Sequence, residues 1–268
     1  MTLFARCYLL VFCQLGMGGL LALAVPPFNK LERGYYKSSG GVFFSMALVG
    51  GFGTVYLHLT RDASGVGSLE AILWGLTVPL YGLYLSTLWG EAMVARARLF
   101  VATLALGFLA LSLGAWSLAE PHGTVFSLLA VVDAIAAALV LGSVTAGMLI
   151  GHWYLIDTSM EIDPFHRCFG YFAGTLRFEV LALAVTLAVL WVWPPELDGS
   201  SIGEHAGLIA ARLVLGPVAA LCIAELIRRV LAIPQTMAAT GLFYIATLAV
   251  LVGEFLGRYF TYRTRLPF

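Results

Sequence analysis

Several charged side chains stand inside apolar segments of the chain. Glu254 and Arg258 lie four residues apart in the last such segment, so both occupy one face of a helix. Together they can fix the register of that helix, or each can reach a neighbouring helix. An ionisable group at membrane depth is costly unless it is paired or hydrated, so each one needs a structural or functional reason. Further charges of this kind are Asp133, Arg177, Glu179, Arg212 and Glu225.

Four of these charges suggest a route for protons. Intramembrane acids often relay protons, and a path from the cytoplasm toward the centre of the bundle is one interpretation of this set. The other interpretation is a group of salt bridges that tie helices together. The four residues of the path are Asp133, Arg177, Glu179 and Glu225.

His58 stands in the stretch VYLHLTRD, where an apolar segment ends. A histidine titrates near neutral pH and can accept a proton from a hydroquinone. A lone histidine at this depth can also be merely solvated. We expect a polar and aromatic pocket for a quinone head group around His58, with Arg61 beside it and with Arg258, Tyr259 and Tyr262 on the last helix.

Within that pocket each polar group has an expected role. His58 acts as the base, and Arg258 fixes the head group next to an electron acceptor. Glu254 holds Arg258 in place or accepts the second proton. The competing hypothesis is an ion pair that only fixes register.

The histidines argue against a haem held by two facing helices. His58 and His152 fall near opposite surfaces, and the remaining three fall between apolar segments. A ligand set at the outer face, made of His58, His122 and His205, stays open. The four cysteines lack the spacing of zinc or iron–sulfur ligands, so we expect this chain to hold no metal.

The elements that position these residues are membrane helices. Of the 268 residues, 60% are hydrophobic and 11% are charged, against about 25% charged residues in soluble domains. Apolar runs long enough to cross a bilayer recur along the whole chain. We predict an all-α bundle of eight transmembrane helices in a single domain, residues 1–268. The predicted spans are 4–25, 38–60, 69–90, 98–119, 124–153, 168–193, 206–231 and 236–260.

The distribution of Lys and Arg sets the expected orientation. Lys and Arg are more numerous in the segments after the first, third, fifth and seventh spans than on the opposite side of the bundle. We therefore expect the first side to be cytoplasmic and both termini to lie outside. A signal peptide is the alternative for the first segment, because Arg6 precedes an apolar stretch that ends in Ala22-Leu23-Ala24. The zero formal net charge gives no reason to expect nucleic-acid binding.

Three stretches resemble the polytopic anchor subunits of dimethyl-sulfoxide-reductase-type molybdoenzymes, the DmsC/NrfD-like family. VFCQLGMGGLLALA (11–24) resembles the opening helix of that family, with a Gln followed by paired glycines. GGFGTVYLHL (50–59) resembles its second helix, which ends in a turn that bears a histidine. LVGEFLGRYFTY (251–262) resembles the Gly-Glu-x-x-Gly-Arg pattern of its last helix.

This resemblance implies a quinol-oxidising or quinone-reducing subunit in a bacterial inner membrane. The quinone is menaquinone or ubiquinone, and the partners are an iron–sulfur subunit and a catalytic, molybdenum-containing subunit. His58 falls on the quinol-site histidine, and Glu70 is the rough positional counterpart of an acid on the third helix. The sequence after His58 departs from the family's turn, which usually contains glycine. A small-solute or ion transporter and a purely structural anchor are the alternative functions.

Overall fold

The computed structural model of the protein describes residues 3–60, 66–157, 160–195, 202–233 and 235–268. Within these ranges all regular structure is helical, which confirms the all-α prediction. In this described part of the chain, eight helical stretches are long and apolar enough to cross a membrane, as predicted. Seven of these spans contain one helix each: α1 Leu3–Ala22, α2 Arg33–Leu59, α3 Val66–Ser86, α4 Met93–Ala119, α5 Thr124–Ile156, α6 Asp163–Val192 and α9 Thr236–Thr264.

The remaining span, the seventh, is interrupted. It consists of α7 (Ala206–Leu213), a π-helical turn (Val214–Val218) and α8 (Ala219–Leu231). Pro217 lies inside this turn. Proline has no N–H to donate and its ring crowds the preceding turn, so a locally wider helix accommodates it. The turn leaves Arg212 in the last turn of α7, where the side chain is buried.

Helix α5 occupies the centre of the bundle. It packs against α1, α4, α6 and α9, and α3 packs against α2 and α4 at the side. Apart from Asp133 and His152, the sequence of α5 is apolar or small on all sides, as expected for a helix surrounded by other helices. Gly142 of α5 meets the backbone of Gly18 in α1, and a side chain at either position would collide with the facing helix. The two helices therefore cross in close backbone contact.

Glycines spaced four apart also pack within the bundle. Gly147 and Gly151 of α5 face Phe243 and Thr240 of α9. Gly253 of α9 lies against the π-helical turn of the seventh span. Small residues at such positions let membrane helices approach closely enough for van der Waals packing.

Consecutive spans run in opposite directions, so the even number of spans brings the start of α1 and the end of α9 to one end of the bundle. We call this the terminal end. It also carries the end of α2, the start of α3 and the end of α4, which line one cavity with α1 and α9. That the terminal end faces the outside of the cell stays a prediction from the charge distribution.

Candidate quinone pocket and buried charge cluster

A cavity of about 450 Å³ opens between α1, α2, α3, α4 and α9 at the terminal end. Its volume falls in the range of about 300–1,000 Å³ that is typical of small-molecule sites. Leucine side chains and Trp74 form much of its apolar wall. Its basic, acidic and phenolic side chains are Arg6, His58, Glu70, Tyr262 and Arg265.

His58 and Glu70 lie side by side in the lining of this pocket. His58 Nε2 lies 3.7 Å from Glu70 Oε2, and the two side chains are 23% and 18% exposed. This distance exceeds that of a hydrogen bond. Catalytic hydrogen bonds are often long before substrate binds, so the separation suits a base and an acceptor that close on a ligand. The pair therefore offers two proton-accepting groups on one cavity wall.

Gly67 at the start of α3 leaves room for the imidazole of His58. A Cβ at this position would lie 2.7 Å from His58 Cε1, closer than any side chain normally approaches. In the same way, Gly114 of α4 leaves room for the side chain of Glu70. A Cβ at position 114 would lie 2.6 Å from Glu70 Oε1. Both glycines thus determine where the two ionisable side chains stand.

A second group of charged side chains lies inside the bundle, and its members do not line this cavity. We call it the buried charge cluster; its members come from α5, α6, α7 and α9. Each side chain is at most 6% exposed. The members are Asp133, Glu179, Arg212, Glu254 and Arg258.

Two arginines organise the cluster. Arg212 Nη2 donates hydrogen bonds to Glu179 Oε1 at 2.7 Å and to Glu254 Oε1 at 2.6 Å. Arg258 Nη2 lies 2.5 Å from Asp133 Oδ2 and 3.4 Å from Glu254 Oε2. Glu254 therefore connects the two arginines. In a low-dielectric interior such pairing is what makes buried charges tolerable.

Two glycines, Gly216 and Gly253, leave the space that the buried charge cluster occupies. A Cβ on Gly253 would collide with Gly216 in the π-helical turn, and one on Gly216 would collide with the guanidinium of Arg212. The close approach of α9 to the seventh span holds Arg212 between Glu179 and Glu254.

The chain after α9 covers the cluster at the terminal end. Arg265 adopts a left-handed conformation with φ 60°, which turns the chain back on itself. Leu266 and Phe268 are then fully buried beside Phe260, and Arg258 Nη2 donates a hydrogen bond to the Phe268 main-chain oxygen at 3.2 Å. His122 Nε2 lies 2.9 Å from the Thr264 carbonyl oxygen and ties this segment to the start of α5.

The structure separates the residues that were predicted for the quinone site. His58 lines the pocket, whereas Glu254 and Arg258 belong to the buried charge cluster and do not line it. Tyr259 packs on Phe4 with ring centroids 5.4 Å apart. Arg61 lies outside the described residues. Tyr262, which was expected beside His58, does line the pocket.

The four residues of the predicted proton path also separate. Asp133 and Glu179 join the buried charge cluster. Glu225 lies at the surface of α8, where it accepts hydrogen bonds from Arg228 and Arg229. Arg177 is exposed on the outer surface of α6. The structure therefore brings together two of the four.

Two residues belong to these sites although the sequence predicted no contact for them. Arg212 is the centre of the cluster, and its only signal in the sequence was a charge inside an apolar span. Glu70 had no local signal beyond its position near the start of the third span, because its meeting with His58 depends on how helix ends assemble.

The described residues contain no group of three or more His, Cys, Asp and Glu side chains that could hold a metal ion. The three histidines of the outer-face haem hypothesis lie apart: His58 lines the pocket, His122 binds a backbone carbonyl, and His205 packs against Phe260. Their positions do not favour a shared haem.

Comparison with known proteins adds no identification. No family model, curated protein or solved structure matches this chain.

Proposed function

We propose that this chain is the membrane-anchor and quinol-oxidising, or quinone-reducing, subunit of a respiratory oxidoreductase in a bacterial inner membrane. The observation that carries the proposal is the cavity that pairs His58 with Glu70 at a helix-bundle end. A quinol head group needs an apolar cavity at interfacial depth and groups that accept its two hydroxyl protons. This cavity offers both.

In the proposed reaction, a quinol loses two protons and two electrons and becomes a quinone. His58 Nε2 accepts one hydroxyl proton and the Glu70 carboxylate accepts the other. The two electrons pass to an iron–sulfur partner that docks at the terminal end, and this partner passes them on to a catalytic subunit that contains molybdenum. Arg6, Arg265 and Tyr262 supply hydrogen-bond donors to the quinone oxygens. Menaquinone and ubiquinone both fit this chemistry.

In this proposal Arg258 and Glu254 have a positioning role. They anchor the last helix, which presents Tyr262 one turn beyond Arg258 on the same face. From the sequence we expected Arg258 to fix the quinone head group. In this proposal Arg6, Arg265 and Tyr262, which line the pocket, fix it instead.

Quinone binding to the purified chain tests the proposal. Trp74 lines the cavity, so a quinone that enters it should quench tryptophan fluorescence in a saturable manner. Gly114→Leu fills the space beside Glu70 and should remove the saturable quenching. Gly75→Leu is the matched control, because a Cβ on Gly75 of α3 meets open space. Equal quenching in the two variants would count against the pocket.

A transporter is the second candidate, favoured by one observation. The seventh span is interrupted by a π-helical turn beside five buried charges, and broken helices often form solute sites in transporters. Proteoliposomes containing the chain alone distinguish the two candidates. Flux of a solute or of protons that Glu179→Gln abolishes and Gly114→Leu spares would favour transport. A purely structural anchor would show neither flux nor saturable quinone binding.

A further inference from the structure

Helix α6 carries two charges that face opposite ways. Glu179 points into the bundle and accepts a hydrogen bond from Arg212. Arg177, two positions earlier, is exposed on the outer surface. Arg177 makes no hydrogen bond or ion pair with any residue that the structure describes. One charge of α6 is therefore neutralised within the chain and the other is not.

Arg177 sits at the middle of its span. It is 14 residues after Asp163 and 15 before Val192, so about 21 Å of helix separates it from either end. The interfaces of a hydrocarbon core lie about 15 Å from its centre. A guanidinium at this depth reaches the lipid head groups only at a cost, by extending toward an interface or by thinning the bilayer locally. It is expensive to leave unpaired in lipid.

The surface around Arg177 permits close approach of another helix. Gly170 and Gly174 precede it along one helical stripe, and a Cβ on either glycine would meet open space. Leu181 and Val185 continue the stripe as exposed apolar side chains. Small residues beside a polar group are the usual composition of an interface between membrane helices.

We propose that this stripe of α6 binds a transmembrane helix of another membrane protein, one that carries an Asp or Glu near its centre. Charge complementarity identifies the occupant, because only a carboxylate at mid-membrane depth neutralises Arg177 there. A second copy of this chain does not supply one. The acids deep in the described spans, namely Asp133, Glu179 and Glu254, are buried in the cluster. The inference does not depend on the quinone pocket.

The test uses the full chain in phosphatidylcholine vesicles with a synthetic Leu/Ala helix of about 20 residues. The helix carries one central Glu or, as the comparison probe, one central Gln. Energy transfer between labelled chain and labelled helix measures binding. We expect the Glu helix to bind about tenfold more tightly than the Gln helix, the scale of a polar contact between membrane helices.

Four variants sharpen the result. Arg177→Gln should remove the preference for Glu, Arg177→Lys should keep it, and Gly174→Leu should weaken binding of both helices. Arg98→Gln is the matched control, since Arg98 is also exposed but lies near the start of α4. Equal binding of the Glu and Gln helices to the unmodified chain would overturn the proposal. Energy transfer between copies of the chain that Arg177→Gln abolishes would also overturn it, by identifying a second copy as the occupant.

Discussion

The His58 pocket and the buried charge cluster both contain carboxylates beside cationic side chains, yet they differ in spacing and access. In the cluster, Arg212 Nη2 donates to two carboxylate oxygens at 2.6 and 2.7 Å, and these side chains do not line the pocket. In the pocket, His58 and Glu70 stand 3.7 Å apart beside about 450 Å³ of space. Short, direct ion pairing suits a group that holds helices together, whereas a more widely spaced pair beside a cavity can still accept a ligand's protons.

The largest effect should come from breaking the cluster. Arg212→Ala would leave Glu179 and Glu254 without their shared donor in a buried site. Removing one partner of a buried ion pair costs about 3–5 kcal/mol. We expect loss of most folded protein, measured as the yield and thermal stability of the detergent-solubilised chain.

The control for this variant is Arg228→Ala at the surface of α8. Arg228 donates to Glu225, but both side chains are exposed and Arg229 also contacts Glu225. We expect no measurable loss of folded protein. If Arg212→Ala were as stable as Arg228→Ala, the cluster would not be structural.

A smaller effect is expected from displacing His58 without removing it. Gly67→Ala places a methyl group against the imidazole, so the side chain must move away from its present position. Quinone affinity in the fluorescence titration should fall while the melting temperature changes little. The comparison variant is Gly41→Ala, which meets open space on α2. A titration curve for Gly67→Ala that superimposes on the Gly41→Ala curve would show that the position of His58 does not matter for binding.

The smallest effect is expected from removing an exposed ion pair at the other end of the bundle. Lys30 Nζ lies 2.9 Å from Glu161 Oε2, and this hydrogen bond raises the pKa of Lys30. A raised folded-state pKa stabilises the protein at neutral pH, and the contribution disappears as pH rises through that pKa. Lys30→Ala should lower the melting temperature slightly at pH 7, because exposed pairs contribute little. The double variant with Glu161→Gln should fall no further; strictly additive losses would contradict the pairing.

The sequence predicted the number of membrane spans well but the ends of the helices less well. The fifth span was predicted at 124–153 and is found at Thr124–Ile156. The second was predicted to begin at residue 38, but α2 starts at Arg33. Hydropathy marks the apolar part of a helix, and α2 extends past it through Arg33, Tyr35 and Lys37, which favour the interface.

The candidate site was only partly predictable, for a related reason. The spacing of Glu254 and Arg258 predicted a shared face, and the two side chains do pair at 3.4 Å. Their stronger partners, Arg212 and Asp133, come from other spans. Hydrophobic periodicity describes one helix at a time and does not show which faces meet. The meeting of His58 with Glu70 depends in the same way on assembly of the bundle.

The most direct test of the central claim is quinol oxidation by the assembled complex with His58→Ala. His152→Ala is the matched control, because His152 is exposed and lies near the other end of the bundle, 3.3 Å from the Tyr244 hydroxyl. Losing a general base should slow the quinol-dependent rate about a hundredfold or more. We expect that loss in His58→Ala, with the complex still assembled, and a normal rate in His152→Ala. An assembled His58→Ala complex that oxidises quinol at the normal rate would contradict the claim.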